Sequence, residues 1–269
     1  MRATYQRARK SQVSIPTDRG VLGSSGPDPS HTVRYGPRDH QVYEVHEPAG
    51  PPRAWVGLIH GGFWRAEWDR THLRPLAAAL GEEGYAVALV EYARSGMPGG
   101  GWPVTGQDVM AALAALDRTE TGSAPVVLVG HSAGGHLAVW ALHQDPAVDV
   151  AGAVSLAGCL DLHLVHQLGL DDDAAADLLR STPVTDPAGW DGADPARLGR
   201  APYPVVVVHG DQDEKVPLAV ARSWWERAGD PGRDRLTVLP GVTHFALIDP
   251  THPSRTALLD ALAALLTPH

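Results

Sequence analysis

The chain has 269 residues, a single cysteine and a formal net charge of −9 at pH 7. One Cys excludes a disulfide framework within the chain and Cys-rich zinc or iron–sulfur centres. The acidic balance excludes nucleic acid as the main partner, because that binding needs clustered positive charge. No run approaches the roughly 18 consecutive apolar residues of a bilayer-spanning helix. No apolar h-region follows the basic start MRATYQRARKSQ. The expectation is a cytoplasmic protein that binds neither nucleic acid nor membrane. Its basic residues are 20 Arg and 2 Lys, which reads as a genome bias rather than as chemistry.

Residues 1–30 carry five basic and two acidic residues and the turn-rich stretch GVLGSSGPDPS. They read as a flexible N-terminal tail, with 31–269 as a single folded domain. From residue 40 strands alternate with helices. QVYEVHE (41–47) and AWVGLIH (54–60) read as strands, THLRPLAAALGEEG (71–84) as a helix and YAVALVEY (85–92) as a strand. The Gly/Pro-rich stretch 95–103 is a loop. TGQDVMAALAALDR (105–118) is a helix, with Thr105 placed to cap it and Asp108 in its first turn. The strand VVLVG then runs straight into a helical pattern, and VDVAGAVSLAG (148–158), PVVVVHG (204–210) and RLTVLPG (235–241) are further strands before a closing helix over 254–266. Continuous Val/Leu/Ile runs fit parallel strands covered on both faces, so the expected architecture is α/β with one mostly parallel central sheet.

Residues 161–202 break this rhythm. They hold eight Asp, several Pro and one irregular helical signal. Forty residues are too many for a bare connection, so the stretch reads as a cap or lid insertion above the sheet. A solvated acidic loop with one helix satisfies the same pattern.

Gly130-His131-Ser132-Ala133-Gly134 fits G-x-S-x-G, and it lies between a buried strand and a helix. A sharp strand-to-helix turn strains its central residue and exposes the hydroxyl of Ser132 at the carboxyl edge of the sheet. The helix start favours negative charge there, and the Ala133 N–H would face a developing oxyanion. His60-Gly61-Gly62-Phe63-Trp64 follows the strand AWVGLIH. Consecutive glycines let backbone N–H groups point inward, which makes Gly62 and Phe63 the other candidates for an oxyanion hole.

A serine hydroxyl needs a base and an orienting acid to act as a nucleophile. The order for this architecture is Ser, acid, His. The strand PVVVVHG runs into Asp211-Gln212-Asp213-Glu214, so Asp213 is the first choice as acid and Asp211 the reserve. Glu214 and Asp161 are further positions to test. His244 follows the strand RLTVLP and is the candidate base. His131 is placed beneath the elbow and is also a candidate for substrate contact. His136, His60 and His209 read as structural, and His163 and His166 as cap residues. Trp64, Trp68 and Trp102 lie in loops near the catalytic edge, where they would suit a flat or aromatic substrate. Anchoring a loop is an equal reading for Trp64 and Trp68. Cys159 reads as a small buried apolar residue. His209-x-Asp211-x-Asp213 fits no strong metal signature, so no metal is expected.

On these residues, the segment from about 33 to 266 resembles the α/β-hydrolase superfamily. Within it, His60-Gly61-Gly62-Phe63-Trp64, the block Gly130 to Ala138, and His209-Gly210 with Asp213, Val216 and Pro217 resemble kynurenine formamidase (arylformamidase) and HGGxW esterases. The resemblance implies an α/β-hydrolase fold and a serine hydrolase that cleaves a small ester or amide through an acyl-enzyme. It implies Ser132 as nucleophile, Asp213 as acid, His244 as base, and no cofactor. An acyltransferase or biosynthetic thioesterase using the same triad, and a catalytically silent binding module, remain alternatives.

Overall fold

The computed structural model describes residues 18–116, 121 and 124–267. Eight strands make one sheet: β1 (His31–Arg34), β2 (Val42–His46), β3 (Trp55–Ile59), β4 (Ala86–Val90), β5 (Val126–His131), β6 (Val150–Leu156), β7 (Val205–Gly210) and β8 (Arg235–Leu239). Their spatial order is β1-β2-β4-β3-β5-β6-β7-β8. β1 and β2 run antiparallel to their neighbours and every other pair is parallel. The helices are α1 (Arg74–Glu82), α2 (Val104–Ala115), α3 (Ala133–Leu142), α4 (Leu162–Gln167), α5 (Leu170–Leu179), α6 (Pro187–Ala193), α7 (Leu218–Ala228) and α8 (Arg255–Leu266).

Every residue of β3, β4, β5 and β7 is buried. That is why these strands are unbroken apolar runs. Alternate side chains enter two separate layers. Val127 and Val129 pack with Leu76 and Leu80 of α1 and Leu258 and Leu262 of α8. Val126 and Leu128 pack with Val109 of α2, Leu137 of α3 and Trp224 of α7. Burying one such side chain contributes about 1.5–3 kcal/mol, and helices on both faces supply the burial. The result is the α/β-hydrolase fold.

The structure corrects the sequence reading at several places. Part of the expected tail is folded: Asp18–Gly23 forms a 3-10 helix. Val21 and Leu22 pack against the layer of α1 and α8, where two apolar side chains escape water. Residues 1–17 of that tail lie outside the described residues, as do 117–118 of the expected second helix. Thr105 is not a cap. It sits inside α2, and its hydroxyl donates to the Ala93 carbonyl at 2.7 Å. Asp108 accepts from the Ala93 N–H at 2.9 Å and from Gln41 at 2.8 Å. The strand β1 and the helix α7 were not assigned from the sequence.

Between β6 and β7 the chain makes α4, α5 and α6. Asp171, Asp172 and Asp173 all adopt left-handed backbone, so regular helix in α5 begins only after them. This excursion is tied to the loop after β3 by Arg65, which donates to Asp171 at 2.6 Å and to Asp177 at 2.8 Å.

Candidate active site

Ser132 stands between β5 and α3 with φ 55° and ψ −118°, a conformation that few side-chain-bearing residues adopt. Strain of this kind costs about 1–3 kcal/mol and persists only where the surroundings enforce it. Here they do. The Ser132 N–H donates to Leu156 at 2.8 Å, and the Ser132 carbonyl accepts from Cys159 at 3.2 Å. The turn also needs Gly134, because a Cβ there would lie 2.0 Å from the Ile59 carbonyl oxygen. The chain at the start of α3 therefore passes directly over the end of β3.

The loop after β3 comes close for a related reason. Gly62, Phe63 and Trp64 have φ of 107°, 47° and 56°. A Cβ on Gly62 would meet Trp68 Cβ at 2.4 Å. Such successive left-handed residues point their N–H groups to one side. Among the described residues, neither the Phe63 nor the Ala133 N–H has a backbone acceptor.

His244 Nδ1 is 2.7 Å from Asp213 Oδ2. The other oxygen of Asp213 accepts the N–H groups of Lys215 and Val216, both at 2.8 Å. His209 Nε2 lies 2.8 Å from the Val216 carbonyl and 3.5 Å from Asp213 Oδ2. The carboxylate is thus held from three sides. Asp211 is exposed, and its carboxylate accepts from the Gly241 N–H at 2.7 Å, while His244 is bonded to Asp213. Glu214 is exposed. Asp161 caps α4 through the Leu164 N–H at 2.8 Å and accepts from Ser223.

Ser132 and His244 line one cavity of about 80 Å³, together with Gly62, Phe63, Trp68 and His131. Leu22, His72, Asp171, Lys215 and Phe245 complete its wall. Leu22, His72 and Asp171 come from outside the sequence motifs, whereas Lys215 lies within the acid loop and Phe245 follows His244. The excursion α4–α6 supplies Asp171, and the folded part of the expected tail supplies Leu22. Burial, and then the nearby His244, push His131 well below its usual range. Its Nε2 lies 3.1 Å from the His244 carbonyl, so a neutral ring supports the candidate base.

Two expected substrate contacts fall elsewhere. Trp64 is fully buried, with its ring 5.2 Å from that of His136. Trp102 packs edge-on against Trp140 at 4.8 Å. Both are anchors. Trp68 alone of the three lines the cavity, and it is 41% exposed.

Beneath the loop lies a charged network that no motif announced. Buried Glu91 approaches His60 Nε2 at 3.1 Å, Arg94 at 3.3 Å and Arg70 at 3.3 Å. Burial raises its pKa, but His60 and Arg94 outweigh that and hold it down at about 2. Arg94 donates to the carbonyls of Ala66 and Trp68, which fixes the outer part of the loop. His60 also stacks on Tyr92 at 4.2 Å. Elsewhere, Asp161, His163 and Asp194 bring potential ligand atoms within 4.8 Å of one another. Their oxygens already accept from Leu164, Ser223, His163 and Ala196.

The profile of the BD-FAE family matches residues 42–227, more than half of the chain. The chain belongs to the BD-FAE family. Solved structures share the fold of this family member at low identity. A truncated carbohydrate esterase from gut microbiota is 19% identical, with a TM-score of 0.73 over 91% of this chain and 100% of that one. Esterase B from Lactobacillus Rhamnosis is 21% identical, with a TM-score of 0.75 over 93% and 90%. A putative thioesterase from Silicibacter is 22% identical, with a TM-score of 0.68 over 90% and 88%. No curated protein matches the chain. These matches show the fold and the family and do not extend to kynurenine formamidase. No helix among the described residues is long and apolar enough to cross a membrane.

Proposed function

We propose that this BD-FAE family member is a serine hydrolase of small carboxylic esters or amides. The observation that carries the reading is one cavity wall shared by a strained Ser132 and by His244, itself bonded to Asp213 at 2.7 Å. Asp213 fixes the Nδ1–H tautomer, which leaves Nε2 as the basic nitrogen. Ser132 attacks the carbonyl carbon and passes its proton to His244. The Phe63 and Ala133 N–H groups stabilise the oxyanion, where each donor is worth about 3–4 kcal/mol. His244 returns the proton to the leaving group, and water then cleaves the acyl-enzyme. The helices between β6 and β7 act as a cap over this cavity. The esterases that share the fold accord with this chemistry.

The cavity has room for a short acyl group. A formyl or acetyl fits about 80 Å³, with the rest of the substrate at the mouth beside Trp68. This supports either of two finer readings, a short-chain or aryl esterase or an arylformamidase-like amidase. Turnover of N-formyl-L-kynurenine and p-nitrophenyl acetate, compared in wild type and Ser132→Ala, tests both levels. Deformylation lost in the mutant supports the formamidase reading. Ester cleavage alone keeps the serine mechanism and removes the formamidase. A Ser132→Ala protein that kept full turnover, or a wild type that left a fluorophosphonate unreacted, would sink the mechanism.

A further inference from the structure

We infer that Lys215 makes the cavity selective for esters or amides that carry a carboxylate near the bond to be cleaved. The inference rests on the hydrolase reading of this cavity and names its substrate class. Lys215 is one of two lysines in a chain with 20 arginines. It is half-buried and lines the cavity with Ser132 and His244. Among the described residues its ammonium has neither an ion pair nor a hydrogen bond.

The other cations near the site are engaged. Arg65 holds Asp171 and Asp177, at 2.6 and 2.8 Å. Arg70 holds Glu44 and Glu91, at 2.7 and 3.3 Å. Arg94 faces Glu91 at 3.3 Å. The acids are engaged too. Asp171 reaches the cavity wall already paired with Arg65, and Asp213 is taken up by His244. Burial keeps His72 and His131 neutral at neutral pH. Lys215 is thus the one Lys or Arg side chain in the cavity wall, and among the described residues no carboxylate is paired with it.

Its root is fixed as well, since the Lys215 N–H is bonded to Asp213 Oδ1 at 2.8 Å. The side chain therefore starts two residues from the acid that orients the base. Apolar neighbours Leu22, Phe63 and Phe245 share the wall, and charge pairing gains strength in such partly desolvated surroundings. A carboxylate on either the acyl or the leaving-group side would reach it, and matched substrates separate the two.

The experiment compares wild type, Lys215→Gln and Lys215→Arg on two pairs. p-Nitrophenyl hemisuccinate against p-nitrophenyl butyrate probes the acyl side. 4-Acetoxybenzoate against its methyl ester probes the leaving-group side. In at least one pair the anionic-to-neutral ratio of kcat/KM falls about tenfold in Lys215→Gln, mainly through KM, and returns in Lys215→Arg. The wild-type preference also shrinks as salt is raised. A lysine that only covers apolar surface with its stem would lower both members of a pair equally. Ratios unchanged within twofold in both pairs overturn the inference and leave the hydrolase reading standing. If wild type cleaves none of the four esters and also leaves N-formyl-L-kynurenine and a fluorophosphonate unreacted, the hydrolase reading is what fails. With none of the four esters cleaved, the charge inference is read from benzoate binding, followed by calorimetry against benzamide. Weakening of benzoate at least fivefold in Lys215→Gln supports it, and equal or absent benzoate binding overturns it.

Discussion

Single atoms decide what the Asp213–His244 pair can do. Asp213 Oδ2 takes the imidazole Nδ1–H at 2.7 Å, while Oδ1 is held by two backbone N–H groups at 2.8 Å. Asp213→Asn keeps the shape but offers an amide that can donate to Nδ1. That favours the tautomer with its proton on Nε2, where it cannot accept from Ser132. The expected loss is about 10³–10⁴-fold in kcat with little change in KM, read from steady-state kinetics on p-nitrophenyl acetate. A loss below tenfold would remove Asp213 from the role. The pairing was legible because strand ends mark where loop residues converge. The choice between Asp213 and Asp211 was not, since both lie in one loop. It turns on a bond from Asp211 to Gly241, thirty residues away. The orientation of Trp64 was equally hidden. Its φ of 56° turns the ring into the core against His136 instead of into the cavity.

The loop after β3 works as an element only because Glu91 at the end of β4 anchors it. Glu91 faces His60 at the loop's start and Arg94, which grips the carbonyls of Ala66 and Trp68 at its end. Removing one partner of a buried charge set leaves the others uncompensated. Glu91→Gln should therefore cost about 3 kcal/mol of stability, seen as a lower denaturant midpoint. Turnover should fall as well, because the Phe63 N–H loses its support. An unchanged midpoint would show that the network contributes nothing net. Sequence offered half a signal here, a lone acid closing the run YAVALVEY. Arg94 lies three residues ahead, but Arg70 and His60 are 21 and 31 residues back in the chain, beyond the reach of any local pattern. The helix α7 is legible in its spacing. Val220, Ala221, Trp224 and Ala228 are its buried residues, at helical spacing. β1 carried no such pattern, because two of its four residues at one end and one at the other are exposed.

Across the whole molecule, the sheet's two apolar layers also bury imidazoles. Burial pushes His72 and His136 down to about 4, with nearby His60 adding to the effect on His72. Burial likewise lowers His46, His131, His143 and His209. The unfolded chain protonates these rings near pH 6.5, and the folded chain resists until lower pH. Between those points the unfolded state binds more protons, so stability rises with pH. The stabilisation is fully present above about pH 6.5 and is lost as pH falls from there toward about 4. Each ring contributes a slope of at most about 1.4 kcal/mol per pH unit. Glu91 adds a separate loss at lower pH. Its carboxylate, held at about 2, stabilises the fold above the ordinary carboxylate range and gives that up between about 4.5 and 2. Acid unfolding should therefore start in the histidine window, before any paired carboxylate titrates. Guanidinium midpoints at pH 7.5, 6 and 5 should fall steadily, and the further drop below pH 4.5 should be smaller in Glu91→Gln. A flat midpoint from 7.5 to 5 would mean that the buried rings are solvated in the folded state, and the two-layer account of their burial would be wrong.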